Sequence, residues 1–188
     1  MGNMPLTNLP TLHRSKVPRY TTLRFPPYRY VPGVHPHPTR DPAGHSYQPN
    51  PTVSRNAAWR PEDWRDLEPW LSGVDLFNDF YFWEAHEAWE VLWVSTPRGE
   101  PPSLLLQGLI QIAAALLKTH MHTLNGARIL SSEGLDKLCR AGEHSRVLLG
   151  LEIPVTIDAF SAYFSPLQAG QLPRVDESVP VLRLAIEG

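Results

Sequence analysis

Apolar side chains recur with a helical period over two long stretches of the chain, and a third stretch has no period at all. Residues Phe77 to Trp93 read FNDFYFWEAHEAWEVLW. At 100° per residue, Phe77, Tyr81, Phe82, Ala85, Ala88, Trp89, Leu92 and Trp93 fall on one stripe, which predicts a helix from about Gly73 to Val94 with Ser72 as its cap. A second helix is expected from Leu104 to about His122. It is apolar almost all round, apart from one line of polar groups, Gln107, Gln111, Lys118 and His122, and so belongs at the centre of the fold. Shorter helices are expected from Pro61 to about Trp70, from about Ala127 to Leu148 and from about Thr156 to Phe164. Short connections between such helices make neighbours antiparallel. The expected fold is therefore all-α, a compact bundle of four or five antiparallel helices with an extended proline-rich N-terminal arm.

Composition accounts for the arm. Eleven of the 20 prolines lie in residues 1–60, and none lies in 70–96 or 103–153. Proline removes a backbone donor and fixes φ, so the first part of the chain is expected to be extended and the rest free to coil. Charge divides in the same way. Residues 1–60 hold eight Arg and Lys against Asp41 alone, for +7, while the remainder holds nine basic and eighteen acidic residues, for −9. A basic, tyrosine-rich arm tethered to an acidic body is expected to lie on that body rather than on nucleic acid or anionic lipid. The expected organisation is an arm over 1–58, a helical domain over 59–165 and an extended C-terminal tail over 166–188, with residues 179–184 lying against the body.

Candidate chemistry sits in the tryptophan-rich helix. Seven aromatics surround His86 and four carboxylates, Asp79, Glu84, Glu87 and Glu90. Ionisable groups beside a buried face must be paired, hydrated or functional. Asn78 falls inside the apolar stripe, with Glu84 and His86 at its two borders. Because Gln107 and Gln111 need partners too, the two helices are expected to face each other through a buried polar seam of Asn78, Glu84, His86, Gln107 and Gln111. Such a seam would shape a pocket for a small molecule or a groove for a protein partner.

The second reading is metal-assisted hydrolysis. His86-Glu87-Ala88-Trp89-Glu90 places a histidine and a carboxylate one turn apart, so both reach one ion, with Glu87 pointing away from that pair. Zinc or manganese is the ion such donors would hold. Glu84 or Glu87 would act as base, and His35, His37 or His45 of the arm would complete the coordination sphere. His120 and His122 lie about 200° apart on a helix and cannot share one ion.

Other chemistries lack support. There is no glycine-rich phosphate loop and no GxSxG elbow. The single cysteine, Cys139, permits no intrachain disulfide and is expected to be structural. The N-terminus lacks the apolar core of a signal peptide, and Leu104 to Leu117 is interrupted by Gln107 and Gln111, so a cytoplasmic protein with no membrane span is expected.

The run Gly73-Val74-Asp75-Leu76-Phe77-Asn78 through Trp83-Glu84-Ala85-His86-Glu87-Ala88-Trp89-Glu90 and Trp93, followed by Leu106-Gln107-Gly108-Leu109-Ile110-Gln111, resembles domain-of-unknown-function family 309. The resemblance covers about residues 60–165. The arm segment from Pro27 to Ser46 is similar to the extension carried by a longer branch of that family. The resemblance implies a small all-helical fold and no established reaction. The family's hallmark positions fall on Phe77, Asn78, Glu84, His86, Glu87, Gln107 and Gly108.

Overall fold

The structure is a computed structural model that describes residues 6–10, 17–50 and 59–185. Residues 1–5, 11–16 and 51–58 of the expected arm and residues 186–188 of the expected tail lie outside the described residues. A 3-10 turn, Pro61–Asp66, leads into α1 (Glu68–Asn78), α2 (Phe82–Trp93), α3 (Pro101–His120) and α4 (Leu124–Gly142). A two-residue hairpin follows, β1 (Val147–Leu148) and β2 (Leu151–Glu152), then α5 (Ile153–Phe164) and a second 3-10 turn, Ser165–Ala169. The fold is a mainly helical bundle, as the periodicity predicts.

Helix α3 is the axis. Leu105, Leu106, Leu109, Ile112, Ala113 and Leu116 are completely buried. It is long and apolar enough to cross a membrane, but 72% of that window is buried inside the fold, which identifies it as a core helix here. It packs on α2 and more extensively on α4. Two glycines explain how close α4 comes: a Cβ on Gly108 would lie 3.0 Å from the Gly134 carbonyl oxygen, and one on Gly134 would lie 2.9 Å from that of Gly108. Gly134 weakens α4 as an isolated helix but permits this crossing. The Phe77 ring meets Phe82, Trp89 and Phe160 at centroid distances of 5.6–5.9 Å, in the tilted and edge-on geometries that aromatic rings prefer.

Three expected helices are corrected. The one over 61–70 is a 3-10 turn that stops at Asp66, and Trp70 already belongs to α1. The single helix over 73–94 is two, broken at residues 79–81, and the first of them begins earlier, at Glu68. Phe80 stands at φ 66°, a left-handed conformation that ends α1, and its ring is completely buried. Burial of that ring holds a backbone state that is otherwise costly for a bulky residue. The fourth helix ends at Gly142, well short of Leu148. The chain turns back through Leu149 (φ 49°) and Gly150 (φ 75°), the two positive angles of a tight hairpin turn. The Trp70 indole donates to the Leu149 carbonyl at 3.0 Å and fixes the turn to the core.

Residues 179–184 run extended over the body, with Val179, Leu182 and Leu184 buried and Leu184 bridged to Leu151. Asn78 clamps this segment. Its Nδ2 donates to the Leu182 carbonyl and its Oδ1 accepts the Leu182 amide, both at 2.8 Å. Asn78→Ala would strand both buried backbone groups. It is expected to lower stability by about 2–3 kcal/mol and to speed hydrogen exchange at the Leu182 amide. Unchanged exchange there would show that the clamp is dispensable.

Candidate functional site

The break between α1 and α2 turns a row of carboxylates toward the arm. Asp75, near the end of α1, is 2% exposed. It accepts the Tyr20 amide at 2.8 Å, the Thr21 amide at 2.8 Å and the Thr21 hydroxyl at 2.7 Å, with Arg19 at 3.8 Å. Asp79, in the break, receives Arg29 on its carbonyl at 2.6 Å and on its carboxylate at 2.9 Å. The same guanidinium lies 4.5 Å above the Tyr81 ring, and the Tyr81 hydroxyl donates to the Pro26 carbonyl. The arm is thus fastened by charge-assisted bonds that match its basic character to the acidity of α1 and α2.

Glu84 lies in the first turn of α2 and belongs to the same row. Its Oε1 accepts the Tyr30 amide at 3.0 Å and lies 3.2 Å from His45 Nε2. Both side chains of this pair are only 5% exposed. The Glu84 Oε2 atom is buried without a hydrogen-bond partner. Burial pushes the Glu84 carboxyl up to about 7, opposed by its own amide, the Tyr30 amide and Arg29. Burial also pushes the His45 imidazole down. Both groups are driven toward their neutral forms, as desolvation requires.

One turn further along α2, His86, Glu87 and Glu90 converge. One potential ligand atom from each lies within 4.8 Å of the others, and His86 Nε2 is 3.6 Å from Glu90 Oε2. The three residues are half-buried. Burial lowers the His86 pKa, against the Glu90 charge. Burial, with Glu90 and Glu84 charges, raises that of Glu87, while Arg40 of the arm opposes the shift. Glu87 therefore does not point away, as its helical angle suggests. Glu90 lies about 40° from His86 and about 60° from Glu87, and carboxylate side chains are long enough to close both gaps.

The expected polar seam between the two helices does not form. Asn78 is spent on Leu182 and Glu84 on the arm. Gln111 donates from Nε2 to Glu133 Oε2 on α4 at 2.7 Å, and its buried Oε1 lacks a partner. Gln107 is half-buried, and its side chain makes no hydrogen bond among the described residues. The break at 79–81 puts Asn78 and Glu84 on different helices, so they no longer share one face.

The arm histidines also fall elsewhere than expected. None of them belongs to the three-residue group that gathers around His86. His35 Nδ1 accepts the Val31 amide, and its ring stacks on Tyr28. His37 Nδ1 accepts the Thr39 amide, and its ring packs on Tyr30 and Trp83. His45 uses both nitrogens, one on Glu84 and one on Ser46. Short turns in a proline-rich segment offer nearby amides, and these claim imidazole nitrogens locally.

Sequence reasoning missed Asp75, Arg29 and Ser46. Asp75 had a signal, since it is an acid on the buried side of a helix opposite a basic arm. Ser46 had none.

A search among curated proteins finds no match to this chain. Residues 70–130, which run from α1 into α4 and contain His86, Glu87 and Glu90 but not the arm, match the family model described as a domain of unknown function. Over that segment, about a third of the chain, the sequence is similar to the DUF309 family.

Proposed function

We propose that the protein binds one divalent metal ion, zinc or manganese, through His86, Glu87 and Glu90, and uses it in a hydrolytic reaction. The observation that carries this reading is the convergence of three ligand atoms within 4.8 Å on one half-buried helical face. An imidazole and two carboxylates suit a cation of intermediate hardness. Three protein ligands leave coordination positions open for water or substrate, which separates catalytic sites from closed structural ones. Two neighbouring carboxylates repel each other, and a cation between them relieves that repulsion. An ion held by His86, Glu87 and Glu90 would supply a water acidic enough to serve as nucleophile near neutral pH, so no separate carboxylate base would be needed. Glu87 thus serves as a ligand, and Glu84 holds the arm beside the site. A binding pocket between the central helices has less support, because its polar groups turn to three different partners.

Calorimetric titration of the untagged, chelator-stripped protein with zinc or manganese tests the proposal. One ion per chain is expected to bind, and His86→Ala is expected to weaken binding by at least about 100-fold, since ligand loss exceeds the 10–100-fold cost of losing a supporting group. Half-exposed His86 can be replaced without unfolding the chain, which circular dichroism would verify. No binding, or equal binding by His86→Ala, would refute the metal site.

A further inference from the structure

We propose that Ser46, His45 and Glu84 form a second, metal-independent site for acyl transfer, with Ser46 as nucleophile. The inference is separate from the metal reading and shares no ligand with it. The Ser46 hydroxyl lies 2.8 Å from His45 Nδ1, and His45 Nε2 lies 3.2 Å from Glu84 Oε1. Ser46 is exposed, while the His45 and Glu84 side chains are 5% exposed. This is the arrangement of nucleophile, base and orienting carboxyl that defines activated serines, recognised by geometry rather than sequence order.

The hydrogen-bond partners assign the protons. Glu84 Oε1 accepts from Nε2–H, which leaves Nδ1 unprotonated and able to accept from Ser46. The imidazole is held edge-on to Tyr28 at 4.7 Å, so its direction is fixed by packing as well as by Glu84. In the reaction, Ser46 Oγ bonds to the acyl carbon as its proton passes to His45 Nδ1. The carbon–leaving-group bond then breaks, and the leaving group takes that proton. Water repeats the sequence on the acyl-serine, so that ester and water give acid and alcohol.

The local amides limit the substrate class. The His45 amide donates to the Tyr28 hydroxyl and the Ser46 amide to the Pro38 carbonyl. Neither is available to stabilise an oxyanion. The site therefore fits activated acyl donors, aryl esters or thioesters, rather than amides.

The test uses the full chain with p-nitrophenyl acetate in the presence of EDTA, so that failure of the metal site leaves the result unaffected. A burst of nitrophenol is expected, with acetate found on Ser46 by peptide mass spectrometry. Ser46→Ala removes an exposed hydroxyl and is expected to fold normally while losing the burst. His45→Gln is expected to slow acylation by about 100-fold or more. Acetate on another residue, no acetylation, or an undiminished burst in Ser46→Ala would overturn the proposal.

Discussion

Asp75→Ala is expected to destabilise the protein by about 3–5 kcal/mol and to release the arm. The carboxylate is buried and accepts three hydrogen bonds from Tyr20 and Thr21, with Arg19 close by. Its removal leaves two amides and a hydroxyl without their acceptor in a partly buried site, so the loss exceeds that of an ordinary surface pair. Asparagine does not rescue the site, because its amide group would direct hydrogens at donors. Urea unfolding would give the stability change, and tryptic cleavage after the exposed Arg24 would report arm release. A variant with an unchanged midpoint and unchanged cleavage would mean that the arm is held by its aromatic contacts alone.

Glu84→Gln is expected to remove a pH-dependent loss of about 3 kcal/mol. The folded carboxyl titrates near 7 against 4.5 for the free group. A raised carboxyl binds its proton more tightly in the folded chain. Its stabilisation is complete below 4.5 and is lost as pH rises through about 7, at about 1.4 kcal/mol per pH unit over that window. His45 acts in the opposite direction. Its lowered pKa favours the fold above 6.5, and that contribution is lost as pH falls. Glutamine keeps an oxygen for the Tyr30 amide but carries no charge to desolvate. Stability curves measured from about pH 4 to pH 8 should therefore diverge, the variant becoming the more stable of the two as the solution turns alkaline. Parallel curves would show that Glu84 is solvated or ionised throughout.

The bundle and the docked arm are legible in the sequence because each depends on a property that sums over many residues. Helical periodicity over 104–120 needs no single decisive position, nor does the asymmetry of proline and charge. The break at 79–81 depends on one residue, Phe80, whose ring finds the core only if its backbone turns left-handed. The adjacent Asn78 and Asp79 are turn-prone, but helical patterning on both sides outweighs them. The candidate site follows the same rule. His86 and Glu90 are legible as a pair because helix geometry alone places them together. The partners of Glu84 and the arm histidines are not, because they are set by where a distant segment lands. Ser46 is the extreme case, meaningful only once His45 is seated on Glu84.

The metal site requires one ion at one location on α2. Crystals grown with manganese and measured for anomalous scattering would test it most directly. A peak is expected about 2.0–2.3 Å from His86 Nε2 and from carboxylate oxygens of Glu87 and Glu90. A peak at His35 or His37, or no peak on α2 at saturating manganese, would contradict it.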